Sequence, residues 1–337
     1  MRIMMVTMHG CIRVFKESLA LIEKGHIVDL AASQVPFGHN AFHTFSLYQD
    51  AEQLMHVVRS SQADIFHVHN EPDWMVTAVR LATDRPIVFD VHDLISLRHQ
   101  IEPDGDELSA FASADAFVHV SNTCKAAAML AHGSKKPDIV LYPYINRRFV
   151  NDIPEDVCWQ SVCYEGGLAT SAEVSLRGDG TVIVNYRDWR GAVRAIREQG
   201  FHVSLFSASH VSEFDYENLG AVVHAPLAYP VLLKALRPYA FGLVGSVEPV
   251  HLILGAMPNK LFEYMSQGVV PLLINATEAA RFCEDRGGLG IEVDNFENLR
   301  QLIPAAKEAR KKILARREVM VMENHIQPLI DLYEEVA

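Results

Sequence analysis

The chain has 337 residues, 49% of them hydrophobic and 21% charged, which suits a soluble globular protein with room for two domains. Its formal net charge is −12 with no basic block, which speaks against a nucleic-acid binder held by counterion release but leaves room for a local phosphate-binding cleft. Cys11, Cys124, Cys158, Cys163 and Cys283 are scattered and form no CxxC pair, and the opening "MRIMMVTMHG" is too short and too soon polar for a secretory signal, so reduced thiols in a cytoplasmic protein are expected.

The first 145 residues alternate apolar runs with helical spacing. "RIMMVT" (2–7) predicts a buried strand, and Ile12, Phe15, Leu19 and Ile22 then recur at helical spacing before Gly25 stops the helix. Strands follow at "IVDLAAS", "DIFHV" (64–68), "PIVFD" (86–90), "AFVHV" (116–120) and "DIVLY" (138–142), with helices near 50–60, 73–83 and 122–132. The polar, proline-bounded stretch "PYINRRFVNDIP" interrupts the rhythm and marks a linker. Alternation restarts at "SVCYE" (161–165), "FHVSLFS" (201–207), "AVVHA" (221–225), "FGLVG" (241–245) and "VVPLLI" (269–274), and a charged helical tract runs from about 296 to 335. Nearly continuous apolar strands separated by helices predict an α/β fold of two tandem, doubly wound, Rossmann-like domains with parallel sheets.

In open parallel sheets ligands gather beyond the carboxyl ends of the strands, so the residues there carry the functional signal. Gly10 follows the first strand, where bare backbone approaches a helix N-terminus; a tight turn is the plainer reading. Neither GxGxxG nor GxxxxGK[ST] is present there. "HVHNEPDW" sets His67 and His69 on one face of a strand, a pair that fits a metal if Asp93 or His92 joins it, or otherwise one packed ring and one facing a cleft. "FDVHDLISLR" groups Asp90, His92 and Asp93 at a strand end, suited to acid–base or polar substrate work or to a capped turn.

In the second half, "CYEGGLAT" puts Gly166 and Gly167 straight after a strand, where phosphate can meet bare N–H groups. Arg187 and Arg190 start the next helix, within reach of a diphosphate or on a solvated face. Ser246 follows the strand at 241–245. In "PNKLFEYMSQGVVPLLI" (258–274), Asn259 can cap a helix, and Lys260 and Glu263 share one face three residues apart. Such a pair is usually a surface pair, yet beyond a strand end Lys can neutralise phosphate and Glu can accept from two ribose hydroxyls.

With these motifs in place, "YEGGL", "NKLFEYMSQG", "HVHNEPDW" and "DVHDLISLR" resemble GT-B fold glycosyltransferases, in particular glycosyltransferase family 4 of the bacterial surface-glycan type, over nearly the whole chain. The resemblance implies a GT-B architecture with an interdomain cleft: residues 1–145 as an acceptor-binding domain, 146–157 as a linker, 158–320 as the nucleotide-sugar domain, and 321–337 as a helix packing back on the first domain. It implies a retaining, metal-independent glycosyl transfer with no cofactor beyond the nucleotide-diphosphate sugar donor. Glu263 would hold the ribose, Gly166 and Gly167 would face the diphosphate with Lys260 or an arginine, and His92 with Asp93 would serve the transferred sugar, with Gly10, His69, Arg187, Ser246 and Asn259 as further substrate-binding residues. Eight residues before Glu263, where the family often has a second glutamate, stands Gly255, with Glu248 out of register, and "GGLAT" has no basic residue, a gap that Arg187 would fill.

The expected partners are a nucleotide-sugar donor and a glycan, lipid-linked or small-molecule acceptor, with no nucleic acid. A cytoplasmic location with peripheral contact at the inner membrane face is expected, since no run of about 18 apolar residues occurs. The sequon at Asn275 is expected to be chance. A non-hydrolysing epimerase, a GT-B-like binding subunit without turnover, and a metal hydrolase using His67, His69 and Asp93 are the alternative readings.

Overall fold

The computed structural model describes residues 1–69, 72–99, 101–150, 152–169, 175–176, 182–183, 187–207, 214–249 and 255–337. The chain divides into two compact units, Met1–Arg147 with Met320–Ala337, and Arg148–Val319.

In the first unit, β1 (Arg2–Thr7), β2 (Ile27–Ala32), β3 (Phe45–Leu47), β4 (Ile65–His69), β5 (Ile87–Val91), β6 (Ala116–His119) and β7 (Asp138–Val140) form one sheet in the order β3-β2-β1-β4-β5-β6-β7. Every pairing is parallel. Helices α1 (Ile12–Glu23), α2 (Ala51–Ser60), α3 (Trp74–Ala82), α4 (Ile95–His99), α5 (Gly105–Ser113) and α6 (Asn122–His132) make the crossovers. Ile3, Met5, Phe66, Phe89 and Phe117 are fully buried, as a sheet covered on both faces requires. Asp50, Asp104 and Ser121 start α2, α5 and α6 by accepting from the backbone N–H three residues on.

The second unit contains β8 (Cys158–Gly166), a short antiparallel pair of β9 (Ser175–Leu176) with β10 (Val182–Ile183), then β11 (His202–Ser207), β12 (Val222–His224), β13 (Tyr239–Gly245), β14 (Val270–Ile274) and β15 (Ile291–Glu292). Its main sheet has the order β12-β11-β8-β13-β14-β15, again all parallel. The connecting helices are α7 (Arg190–Glu198), α8 (Phe214–Glu217), α9 (Tyr229–Leu236), α10 (Asn259–Ser266), α11 (Thr277–Asp285) and α12 (Leu299–Arg316). Both units are thus the Rossmann-like α/β layers expected from the sequence, and the expected strands and helices lie within a few residues of their predicted bounds.

The charged C-terminal tract is not one helix. α12 ends at Arg316, and the chain resumes as α13 (Met322–His325) and α14 (Gln327–Val336). Val321 is extended, bridges Ile145 in parallel and so interrupts the helix. Met322 N–H donates to Ile145 O at 2.8 Å and Arg147 N–H to Glu323 Oε2 at 2.9 Å, which ties this segment to the first unit. Pro328, in the first turn of α14, has no N–H to continue the preceding turn. Among the described residues no helix is long and apolar enough to cross a membrane.

In each sheet the chain leaves its first strand in one direction and later returns to add strands on the other side. The switch lies between β1 and β4 in the first unit and between β8 and β13 in the second. The crevices beyond these strand ends are where the candidate residues fall.

Candidate active-site residues

In the second unit, Gly166 ends β8 with φ +128°, a conformation side chains rarely adopt, and a Cβ there would lie 2.9 Å from Lys260 Nζ and 3.4 Å from the Tyr164 hydroxyl. The absence of a side chain is what lets the ammonium of α10 reach the end of β8. Lys260 Nζ lies 3.9 Å from the centroid of the Tyr164 ring, a cation–π position, and the Tyr164 hydroxyl donates to Gly167 O at 2.8 Å. A Cβ on Gly167 would sit 3.0 Å from both Cδ and Nη1 of Arg187. The loop is stitched to that arginine: Ala169 N–H donates to Arg187 O at 3.0 Å, and the Tyr216 hydroxyl donates to Ala169 O at 3.0 Å while accepting from Trp189 N–H at 3.1 Å. Lys260 and Arg187 therefore set two cationic side chains beside the glycine turn. Arg190, the other candidate, is instead folded onto Asp188 through Nε at 2.8 Å and Nη2 at 2.5 Å.

Asn259 does not cap α10; Pro258, with φ −75° and ψ 149°, holds the cap position and Asn259 opens the helix. Proline has no N–H to lose there, so the helix begins one residue earlier than a capping asparagine would allow. Glu263 is only 2% exposed, so it is not half of a solvated surface pair. Its Oε1 accepts from the Tyr229 hydroxyl at 3.0 Å. Burial, with the charges of Glu263 and Glu165 adding to it, pushes the Tyr229 phenol well up and keeps it a donor. The next residue, Tyr264, fills the space where a side chain on Gly242 would be, 2.4 Å from that notional Cβ, and accepts from Glu165 N–H at 2.9 Å. These contacts fix α10 against β8 and β13.

Ser246, expected to bind substrate, is fully buried and its hydroxyl donates to Glu248 O at 2.5 Å. Its role is to close the turn after β13. Asn275, at φ 47°, completes that turn by donating to Ser246 O at 3.0 Å and Val247 O at 2.8 Å. Glu248 is exposed and Gly255 is buried.

In the first unit, Gly10 is required by packing, since a Cβ on it would lie 1.8 Å from Pro36 Cβ. The β4–β5 register pairs His69 with Asp90, and the rings of His67 and His69 stack with centroids 4.4 Å apart. Both histidines are fully buried, so the expectation that His69 contacts substrate, or that one of the pair faces a cleft, does not hold. His69 Nδ1 lies 3.0 Å from His92 Nε2, and His92 is 18% exposed. Burial holds the His92 imidazole down to about 4, against the opposing pull of Asp90.

The carboxylate among these rings is Asp90 rather than Asp93: its Oδ2 lies 3.6 Å from His67 Nε2 and 3.5 Å from His69 Nδ1, and its Oδ1 lies 3.6 Å from His92 Nε2. Two residues of α1 complete the cluster. Arg13 Nε is 2.9 Å from Asp90 Oδ2 and 3.0 Å from Glu17 Oε1, and Arg13 Nη1 donates to Leu141 O at 2.9 Å. Burial opposes the charge on Asp90, but Arg13, and then His92, His67 and His69, hold its carboxyl well below the ordinary range. Burial instead pushes Glu17 well up, with Arg13 opposing and Asp90 adding to the shift. His67 hydrogen-bonds the Tyr333 hydroxyl through Nδ1 at 2.6 Å. The i,i+4 spacing of Arg13 and Glu17 was the available sequence signal, and it reads as a surface pair.

Two parallel α/β units, each with its candidate residues at the sheet's switch point, make the architecture that of GT-B glycosyltransferases. Solved structures agree. Over 99% of its length the chain is similar to a glycosyltransferase from Rickettsia africae (13% identity, 98% of that chain, TM-score 0.63). Over 100% of its length it is similar to HepE of Anabaena in complex with UDP (14% identity, 98% of that chain, TM-score 0.68). Over 99% it is similar to an alpha-glucosyltransferase in complex with UDP and a 13-mer DNA containing a HMU base (12% identity, 99% of that chain, TM-score 0.71). Likeness at such identity shows the fold; the enzyme class comes from residues 14–146, which match the model of Glycosyltransferase Family 4. The protein is thus a glycosyltransferase of GT-B fold whose residues 14–146 are similar to Glycosyltransferase Family 4. A search of curated proteins returns no match to this sequence.

Proposed function

We propose that the protein is a retaining, metal-independent glycosyltransferase that takes its sugar from a uridine-diphosphate sugar, with the second unit as the donor domain and the first as the acceptor domain. The observation that carries this is the buried Glu263 on α10, held by Tyr229, one turn from Lys260 at the glycine turn that ends β8. Glu263 accepts from the two ribose hydroxyls. Lys260, Arg187 and the N–H groups of Gly166 and Gly167 take the charge that grows on the diphosphate as the glycosidic bond breaks. Two fixed cations suffice for that leaving group without a divalent ion. UDP is favoured because HepE and the alpha-glucosyltransferase were each solved with it. His92 and Asp93, beyond β5, are the groups of the first unit assigned to the transferred sugar, with His92 uncharged near neutral pH. A glycan or lipid-linked acceptor is favoured over nucleic acid by the net charge of −12, and a cytoplasmic protein with peripheral membrane contact fits such an acceptor.

A titration of UDP, GDP, ADP and CMP with no metal added tests the donor class, and NMR of the product from a UDP-sugar tests retention. Selective binding of UDP and a product with the donor's anomeric configuration are expected; failure to bind any of the four would overturn the proposal. Gly255, in place of the family's second glutamate, favours one further reading, a nucleotide-binding subunit without turnover. Tight UDP binding with no transfer across an acceptor panel would establish it.

A further inference from the structure

Glu17, His67, His69 and Asp90 are each 0% exposed, yet five of their polar atoms have no hydrogen-bond partner: both Glu17 carboxylate oxygens, His67 Nε2, His69 Nε2 and Asp90 Oδ1. Buried polar atoms are rarely left so, and although Arg13 Nε lies 3.0 Å from Glu17 Oε1, this many in one cluster point to an occupant. The four side chains each offer a ligand atom, all within 4.8 Å of one another. His67 Nε2 lies 3.6 Å from Asp90 Oδ2, and His69 Nε2 lies 3.8 Å from Glu17 Oε2. Ligand atoms about 2.0–2.1 Å from a tetrahedral zinc ion are separated by about 3.4 Å, so these two pairs need to close by a few tenths of an ångström and the widest pair by up to about 1.4 Å, which side-chain rotation supplies.

We propose that Glu17, His67, His69 and Asp90 bind one zinc ion in the interior of the first unit, as a structural centre distinct from the donor site. Two imidazoles and two carboxylates are a zinc donor set, and all four positions are filled by protein, as in structural sites. The surrounding groups supply the outer shell such a site needs. The Tyr333 hydroxyl holds His67 Nδ1 at 2.6 Å and leaves Nε2 facing inward. His92 Nε2 does the same for His69 Nδ1 at 3.0 Å, and Arg13 Nε lies against Asp90 and Glu17 at 2.9 and 3.0 Å. With neutral imidazoles, Arg13 offsets only one of the two carboxylate charges, so an unfilled cluster keeps a buried negative charge that a cation or a proton must take. The ion would pin α1 to the ends of β4 and β5 beneath His92, and would do so without touching the diphosphate.

The test is elemental analysis of the full-length wild type, purified without a metal-affinity tag and dialysed against metal-free buffer, followed by thermal melts of chelator-treated protein with and without added zinc. The expected result is about one zinc per chain and a Tm that falls on chelation and recovers with zinc. Glu17→Gln and His69→Gln should lose the zinc and the zinc-dependent rise in Tm. Cobalt(II) restored to the wild type should give the visible absorption of a tetrahedral site. Wild type that carries no stoichiometric metal and melts identically with chelator or zinc would overturn the proposal and leave a proton as the occupant. UDP titration of the same samples keeps the two questions apart, since the donor residues lie on other elements.

Discussion

Replacing Glu263 by glutamine changes the charge of one buried side chain and little else. The amide keeps the volume and leaves an oxygen for the Tyr229 hydroxyl, now 3.0 Å from Glu263 Oε1, so the fold of α10 should survive. What is lost is the charge on the acceptor that the proposed donor site offers to two ribose hydroxyls. Hydrogen bonds to a charged group contribute ~1.5–3 kcal/mol each and neutral ones ~0.5–1.5, so two of them weaken by ~2–3 kcal/mol together. At about 1.4 kcal/mol per decade this raises the Kd for UDP about 30- to 150-fold. Isothermal titration of UDP, with thermal melts of both proteins alongside, measures it. Wild type should also prefer UDP to 2′-deoxyuridine diphosphate, and Glu263→Gln should lose most of that preference, which a general loosening of the domain would not produce. A variant that binds UDP within about twofold of wild type at unchanged Tm would refute the ribose role and with it the donor-site assignment. Glu263→Ala is the poorer probe, because it leaves the buried Tyr229 hydroxyl without its acceptor at a cost of ~1–3 kcal/mol in stability.

Arg187→Ala should weaken UDP about tenfold while leaving uridine unchanged, because its guanidinium lies over Gly167 and a charge-assisted contact contributes ~1.5–3 kcal/mol; equal affinity of both proteins for UDP would remove it from the site. Asn275→Ala should destabilise the protein by ~1–3 kcal/mol, since it forfeits two hydrogen bonds and keeps a Cβ at φ 47°, and Asn275→Gly should recover part of the loss; chemical denaturation reports both. Glu107 accepts from Ser96 N–H and Oγ and from His132 at 2.9, 2.7 and 2.9 Å; burial raises its carboxyl, but these bonds prevail and hold it below the ordinary range. A depressed folded value stabilises above the unfolded pKa of about 4.3 and is lost as pH falls through the folded value. The Tm gap between wild type and Glu107→Gln should therefore close as pH falls below 4; a gap independent of pH would contradict this.

Both sheets were legible because their strands are buried on two faces and carry unbroken apolar runs, which few other structures demand. The glycine turn after β8 was legible for a related reason, since bare backbone beside a strand end has a limited set of uses, whereas the start of α10 lies one residue earlier than a capping Asn259 would place it. Tertiary contact decided the rest. Ser246 reads as a polar residue at a strand end, yet its hydroxyl is spent on the turn to Glu248, which no local pattern marks. The helical tract expected over 296–335 ends its first helix at Arg316 and is extended at Val321, where Ile145, far away in sequence, offers a bridge. Helical spacing in α1 drew attention to Ile12, Phe15, Leu19 and Ile22; Phe15 is buried but the other three are only half-buried, while Arg13, Lys16 and Glu17 between them are fully enclosed.

The burial of charged residues beside the apolar ones of α1 has a physical cause, and it links fold to function. A helix that packs its charged side chains inward needs compensating groups on the sheet, and β4 and β5 supply them as His67, His69 and Asp90. The sheet in turn carries two histidines and an aspartate in its interior where Arg13 and Glu17 face them. The polar cluster is therefore a unit that holds His92 through His69 at 3.0 Å. Removing Arg13 alone leaves Asp90 as a buried charge without its guanidinium, at ~3–5 kcal/mol. Arg13→Met should for that reason cost more stability than the paired change Arg13→Met with Asp90→Leu. Denaturant melts of the single and double variants decide the matter, and a double variant less stable than the single one would show that the cluster is not organised around that ion pair.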